Sequence, residues 1–195
     1  MCLRHKKILF GISGGIAAYK APDLLHGWVK MGCEVETILT ESAEAFVSPM
    51  VLSTLSKRRV WRERDFMSPE HGWRIPHISL TDWADLFVIA PCTGATLARL
   101  AEGLSDTPVT LAAKSLLRVG CPVVIAVSTN DGLGASGENI ARLYQRKHYY
   151  FVPYGQDDPN TKPQSLKARF ELLPQTLEAA LEGRQLQPVL QCPCG

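Results

Sequence analysis

Four short polar segments carry the residue types that hold an anion. Ser13-Gly14-Gly15 follows the apolar run at residues 8–12 and precedes a helix-like stretch beginning near Ile16. Glycines let the backbone approach a ligand, a serine offers a hydroxyl, and the free amides of a first helical turn point at negative charge. Such a turn suits the phosphate of a nucleotide or flavin, and it equally suits an ordinary strand-to-helix connection. It is neither the G-x-G-x-x-G fingerprint nor a Walker A loop. Thr40-Glu41-Ser42 follows a second apolar run, and its hydroxyls suit a helix cap or the same ligand. Pro91-Cys92-Thr93-Gly94 and the stretch from Ser128 through Asn130 to Gly134 follow two more. His77 adds a group that titrates near neutrality and can move a proton or steady a carboxylate. Asn130 precedes Asp131-Gly132, a turn-forming context that leaves its amide available for a ligand.

These segments must be placed by the elements around them. Residues 17–31 read as an amphipathic helix with Leu24, Leu25, Trp28 and Val29 on its apolar side, ended by Gly32. Strands are expected at 34–39, 86–90, 122–127 and, last, 149–152; helices at about 94–103, 109–118 and 172–181. Residues 50–66 read as less regular and 67–76 as a loop. Apolar strands alternating with amphipathic helices imply a parallel sheet with helices on both faces. The fold class is therefore α/β, a Rossmann-like three-layer doubly wound parallel sheet of flavodoxin-like type. Ligands of such sheets bind at the carboxyl ends of the strands. The loops at Ser13, Thr40, Pro91 and Ser128 all lie at those ends.

At 195 residues the chain reads as one domain over 1–190 with a flexible tail at 191–195. A net charge of +2 gives no argument for nucleic acid or for a membrane surface. No apolar run reaches membrane-spanning length. Six cysteines, of which Cys2, Cys33, Cys92 and Cys121 are dispersed, fit a reduced cytoplasmic setting. Cys192 and Cys194 lack further ligands at metal-site spacing, so no metal is expected.

Taken together, the segments resemble the flavin-containing cysteine decarboxylase family. The resemblance rests on ILFGISGGIAAYKAPDLL, LTESAEAFVSPMVLSTLS and HISLTDWADLFVIAPCTGATLARLAEGLSD. It implies FMN as cofactor. By matching positions, Ser13 and Ser42 would contact the phosphate, with Gly14 and Thr40 beside them. Phe46 would lie near the isoalloxazine ring, while Pro91 and Thr93 would form the flavin loop. His77 matches a histidine that assists decarboxylation, and Asn130 an asparagine that grips the substrate carboxylate. Ala95 stands where the family has asparagine, Leu133-Gly134 where it has Met-Trp, and the Ala-Cys-Gly flap has no counterpart.

The second half resembles the dipicolinate synthase B branch of that family through SDTPVTLAAKSLLR, PVVIAVSTNDGLGASGENIARL and YYFVPYGQDDPNTKPQSLKARFELL. That branch implies redox formation of dipicolinate or a related small dicarboxylate, together with an NADP-dependent partner subunit. The alternatives are oxidative decarboxylation of a cysteinyl substrate and a flavin-binding subunit without catalysis. Within 154–169, Gln156, Lys162, Ser165 and Arg169 suit carboxylate recognition; a solvated charged face is the plainer reading of Lys162, Lys167 and Arg169. Family members form trimers or larger homo-oligomers, for which the surroundings of Trp61, Trp73 and Trp83 are the expected contact.

Overall fold

A computed structural model describes residues 3–66 and 76–192, with side chains from Ile78 onward in the second stretch. Six strands run parallel: β1 (Lys7–Ile12), β2 (Glu34–Leu39), β3 (Val60–Trp61), β4 (Leu86–Cys92), β5 (Val123–Thr129) and β6 (Tyr149–Phe151). Their order is β3-β2-β1-β4-β5-β6. This is the Rossmann order; without the two-residue edge strand β3 it becomes the flavodoxin order. Two more strands, β7 (Tyr154–Gly155) and β8 (Leu166–Ala168), form an antiparallel hairpin. β8 pairs with the last residues of β5, Ser128 opposite Lys167 and Thr129 opposite Leu166.

The helices are α1 (Ala21–Lys30), α2 (Pro49–Ser56), α3 (Glu63–Phe66), α4 (Pro76–Trp83), α5 (Gly94–Glu102), α6 (Pro108–Arg118), α7 (Ala135–Tyr144) and α8 (Leu173–Leu181). The two-residue alternation of a strand sorts the apolar side chains into two cores. Ile8, Phe10, Val88 and Val124 pack with Leu25 and Trp28 of α1, Leu52 of α2 and Leu177 of α8. Leu9, Phe87, Ile89 and Ile125 pack with Leu97 of α5, Val109 and Leu116 of α6 and Leu143 of α7. Phe10 meets Trp28 edge to face at 5.0 Å. Truncating a wholly buried leucine such as Leu25 to alanine would cost about 2–5 kcal/mol. Gly11 is needed for the second core: a β-carbon there would stand 2.8 Å from Phe87 Cζ and 3.3 Å from Val109 Cγ1. Its absence lets α6 lie close on the sheet.

Several elements depart from the sequence expectations. The expected helix at 17–31 is a 3-10 turn, Ile16–Lys20, followed by α1. Pro22 sits in the first turn of α1, where its missing N–H has no helical acceptor to lose. Residues 50–66 are regular: most of α2, then β3 and α3. β4 continues through Pro91 to Cys92, with its register against β5 shifting between Ile89 and Cys92. β5 likewise takes in Ser128 and Thr129. α7 has no counterpart among the expected helices, and only its Ser136, Ile140 and Leu143 are buried. β6 is not the last strand, since 154–159 holds β7 rather than a plain loop. The expected flexible tail is fastened where it begins: Gln191 N donates to Tyr154 O at 2.9 Å, and Arg169 Nη2 to Cys192 O at 2.8 Å. The loop expected over 67–75, Trp73, Cys2 and Cys194 lie outside the described residues.

Candidate functional site

The strands β1, β2 and β4 end at one edge of the sheet, and the chain leaves them through three turns that are tied together. Ser13 is buried, and its Oγ donates to Pro91 O at 2.7 Å while accepting the Thr93 N–H at 3.0 Å. Thr93 Oγ1 lies 3.3 Å from the same oxygen and 3.2 Å from Thr96 Oγ1. The turn after β1 is thereby locked to the turn after β4. Gly14 packs against Ser42, and Ser42 Oγ shares a hydrogen bond with Thr40 Oγ1 at 3.2 Å. The turn after β2 therefore joins the same cluster.

The backbone amides of Gly14, Gly15, Ile16 and Ala17 meet no acceptor among the described residues. Successive amides at a strand-to-helix turn form a concavity for an anion. Gly15, Ile16 and Ala17 line a cleft of about 430 Å³, together with Lys20, Thr93 and Asn130 among others. Lys20 has no carboxylate partner among the described residues; its ammonium lies 5.9 Å from the Tyr19 ring centre and 5.6 Å from that of Phe170. Further along the lining, Asp157 receives Lys167 Nζ on Oδ1 at 2.7 Å and Lys162 Nζ on Oδ2 at 2.9 Å. These two bonds hold its carboxyl below the usual 3.8. The lining thus carries three ammonium groups and one carboxylate.

Asn130 is exposed at the tip of the segment after β5. Asp131 fixes that tip: Ser136 Oγ donates to Oδ1 at 2.8 Å, and Thr129 Oγ1 donates to the same oxygen. The Thr129 bond, then the Ser136 bond, lowers the Asp131 carboxyl from its ordinary value. Cys92, wholly enclosed, has its thiol pushed far up by burial and is a packing residue.

The structure brings Ser13, Gly14, Thr40, Ser42, Pro91 and Thr93 into one cluster, with Asn130 across the cleft. Ser13 is drawn into the protein, and its hydroxyl braces two turns. Pro91 accepts that brace through its carbonyl. Phe46 stands 44% exposed after the second turn and does not line the cleft. His77 lies in α4, immediately before β4, and its side chain is outside the described residues. Among the loop residues expected to recognise a carboxylate, only Lys162 lines the cleft. Gln156 Nε2 donates to Pro163 O at 2.7 Å, Ser165 is buried, and Arg169 reaches the Cys192 carbonyl. Lys20, Ser128 and Asp157 are lining residues that sequence reasoning does not single out as site residues, while Lys167, for which a solvated face is the plainer sequence reading, also lines the cleft. The alternation Leu166-Lys167-Ala168 is the available signal for Lys167, since it puts the lysine on the opposite face of β8 from two buried residues.

Trp61 and Trp83 are not free aromatic contacts. The Trp61 Nε1–H donates to Glu36 Oε2 at 2.8 Å, and Arg58 lies over Trp83 at 5.6 Å. The exposed apolar side chains instead include Ile16 at 78%, Tyr19 at 62% and Met50 at 73%. Among the described residues no cluster has the makeup of a metal site, and no helix is long and apolar enough to cross a membrane.

Against this geometry, a family model described as Flavoprotein matches residues 1–153. The B subunit of dipicolinate synthase from Bacillus subtilis (strain 168) is 35% identical over 189 residues, covering 96% of this chain and 94% of that protein. The crystal structure of the dipicolinate synthase B subunit from Bacillus halodurans C aligns with a TM-score of 0.82 at 35% identity, covering 98% of each chain. The FMN-dependent cysteine decarboxylase TvaF from thioviridamide biosynthesis aligns with a TM-score of 0.64 at 26% identity, over 71% of this chain and 85% of that one.

Proposed function

The chain belongs to the flavoprotein family, and on that premise we propose that it is an FMN-binding enzyme whose cleft acts on dipicolinate or a related small dicarboxylate. The observation that carries the reading is the extent of likeness to the B subunit of dipicolinate synthase. It runs over 96% of the chain and so beyond residue 153, into the hairpin that supplies Lys162 and Lys167.

The residues present fit the cofactor. Four unpartnered amides from Gly14 to Ala17 suit its phosphate, with Lys20 beside them as a cation. Gly14 leaves the room that any side chain would fill. Ser13, Ser42, Thr40 and Pro91 set the shape of that cradle, and Thr93 lines the cleft next to it. When bound, FMN supplies two-electron redox chemistry. The chain's own groups hold and orient the acid: the Asn130 amide donates to a carboxylate, while Asp131 keeps the tip that presents it in one conformation. His77 is proposed as the proton carrier.

A second reading is oxidative decarboxylation of a cysteinyl substrate, which the likeness to an FMN-dependent cysteine decarboxylase favours. A third, a flavin-binding subunit without catalysis, is the outcome if His77 proves dispensable. We also propose a homo-oligomer, a trimer or larger, and an NADP-dependent partner subunit. The setting proposed is cytoplasmic, in keeping with buried Cys33, Cys92 and Cys121, which form no disulfide with one another.

The test is purification followed by a flavin spectrum and titration with dipicolinate. Bound FMN is expected, and dipicolinate should perturb its spectrum more than phosphopantothenoylcysteine does. A colourless protein that takes up no added FMN overturns the cofactor; turnover of phosphopantothenoylcysteine without a dipicolinate effect moves the function to the second reading.

A further inference from the structure

We propose that the cavity between the end of α5, α6 and the first residue of β6 is a second ligand site, built for a phosphate monoester carried on a compact apolar body. The site lies outside the function proposed for the cleft.

The cavity measures about 290 Å³, near the lower end of the range of small-molecule sites. Leu100 and Leu104 line it from the end of α5 and the segment that follows, and Leu117 from α6, which together make an apolar wall. Lys114 and Arg118 stand four residues apart on α6 and so share one face of it, and Arg146 joins them from the segment between α7 and β6. No carboxylate lines the cavity, and none of the three cations has an ion-pair partner among the described residues. The acids flanking Leu104 in the chain, Glu102 and Asp106, are paired with Arg142 and Arg99 instead.

Two of the cations are held in place by neutral groups. Arg146 Nη1 donates to Leu100 O at 2.9 Å and Nη2 to Ala101 O, while Lys114 Nζ donates to Gly103 O at 3.3 Å. Those carbonyls close α5, and cations suit the negative end of its dipole. A carbonyl does not cancel a full charge, and an ammonium with one acceptor keeps two further donors. Arg118, in the last turn of α6, makes no side-chain hydrogen bond among the described residues.

Tyr149 is the independent sign of a ligand. It is 8% exposed and lines the cavity, and its hydroxyl has no hydrogen-bond partner among the described residues. A buried phenol usually finds one. Burial pushes the Tyr149 hydroxyl up to about 12, against the opposing charge of Arg146, so at neutral pH it keeps its proton and can donate it in a hydrogen bond. One donor and three cations around an apolar wall call for an anion with an apolar end. A carboxylate brings a single charge. A phosphate monoester brings about 1.5–2 charges and three acceptor oxygens, and guanidinium groups grip it through parallel hydrogen bonds.

The site is apart from the cleft, with which it shares no lining residue. Tyr149 is paired with Val123 at the start of β5, whereas Ser128, near the end of that strand, lines the cleft. Five residues of strand put about 16 Å between the two places.

The test is calorimetric titration with phenyl phosphate and with inorganic phosphate, in excess FMN so that the cradle after β1 does not take up either. Phenyl phosphate should saturate one site per chain with a Kd below about 1 mM, about tenfold tighter than inorganic phosphate. Lys114→Gln/Arg118→Gln changes two exposed positions of α6; it should weaken phenyl phosphate by about tenfold or more and leave the melting temperature of the free protein unchanged. Tyr149→Phe, which removes only the hydroxyl, should weaken it by about three- to tenfold. Absence of saturable phenyl phosphate binding overturns the inference. Equal affinity for inorganic phosphate makes the place a charged surface, and full affinity in the glutamine variant puts the ligand elsewhere; either result overturns it too. A shift of assembled mass in the glutamine variant, with phenyl phosphate affinity unchanged, makes this face a contact between copies and overturns it likewise. Protein that takes up no FMN removes the cofactor reading alone, because the glutamine variant still locates the phosphate ester.

Discussion

A β-carbon on Gly14 would stand 2.2 Å from the hydroxyl oxygen of Ser42. The turns after β1 and β2 thus meet where only a hydrogen atom fits, beside the four amides proposed to hold the phosphate. Gly14→Ala must push the two turns apart. The expected result is loss of co-purified FMN together with overpacking destabilisation of about 1–3 kcal/mol. Ser42→Gly, which removes the obstructing side chain, should restore part of the stability in the double variant. Flavin content and thermal melting of the three proteins measure both effects; full FMN occupancy in Gly14→Ala would falsify the cradle as drawn.

His77→Asn separates the readings of function. The exchange removes the titrating imidazole while keeping a hydrogen-bonding side chain of similar reach. FMN content should be unchanged and turnover lowered by about 10²–10⁴-fold, the usual contribution of general acid–base catalysis. The pH profile of the residual activity should lose its limb near neutrality. Activity equal to wild type would make His77 a structural residue and turn attention to a partner subunit for catalysis.

The Asp157 carboxyl gives a pH dependence with a definite sign. Its hydrogen bonds from Lys167 and then Lys162 depress its pKa below 3.8 in the folded protein. A depressed carboxylate adds stability that is present above the unfolded pKa and disappears as pH falls through the folded value. Acidification below pH 3.8 should therefore lower the melting temperature more in wild type than in Asp157→Asn. Each bridge is partly exposed, so the difference at neutral pH should be about 1 kcal/mol or less. A variant whose melting temperature parallels wild type throughout that acid range would show the triad to be energetically silent.

Assembly is expected to use the exposed apolar side chains beside the flavin turns, together with the surroundings of the tryptophans. Light scattering should give a mass several times the 21.5 kDa chain. Met50, exposed on α2, is a suitable probe: Met50→Asp would place a charge where an apolar contact is expected, and should shift the population towards monomer. Wild-type monomer at micromolar concentration with FMN bound would remove the homo-oligomer from the proposal.

The parallel half of the fold was legible because its signals are dense. β1, β2, β4 and β5 are nearly continuous apolar runs, and Gly32 and Gly103 mark helix ends at positive φ. That the loops at Ser13, Thr40, Pro91 and Ser128 share one end of the sheet followed from the alternation of strands and helices. What escaped were elements with thin signals. α7 buries three residues, and β7 and β8 are two and three residues long. Their pairing depends on contacts far along the chain, Thr129 with Leu166 and Tyr154 with Ala168, which no local pattern announces. Lys162 and Lys167 could be named from their charge, but their place on the cleft wall depends on that pairing. Ser13 illustrates a different limit: its residue type suited a phosphate, yet a neighbouring carbonyl, Pro91 O, lies close enough to take its proton in a hydrogen bond.

β5 keeps two neighbours on the same side, β6 along Val123–Ile125 and β8 at Ser128–Thr129. The first continues the parallel sheet; the second belongs to an appended hairpin that borrows only the strand's final two residues. That attachment makes the hairpin a replaceable cassette. Substituting residues 154–169 alters one wall of the cleft, while the Gly14 cradle is built wholly from chain that precedes it. A descendant, or a designer, can therefore change which acid is admitted by exchanging a single hairpin and leave the flavin-holding half as it stands.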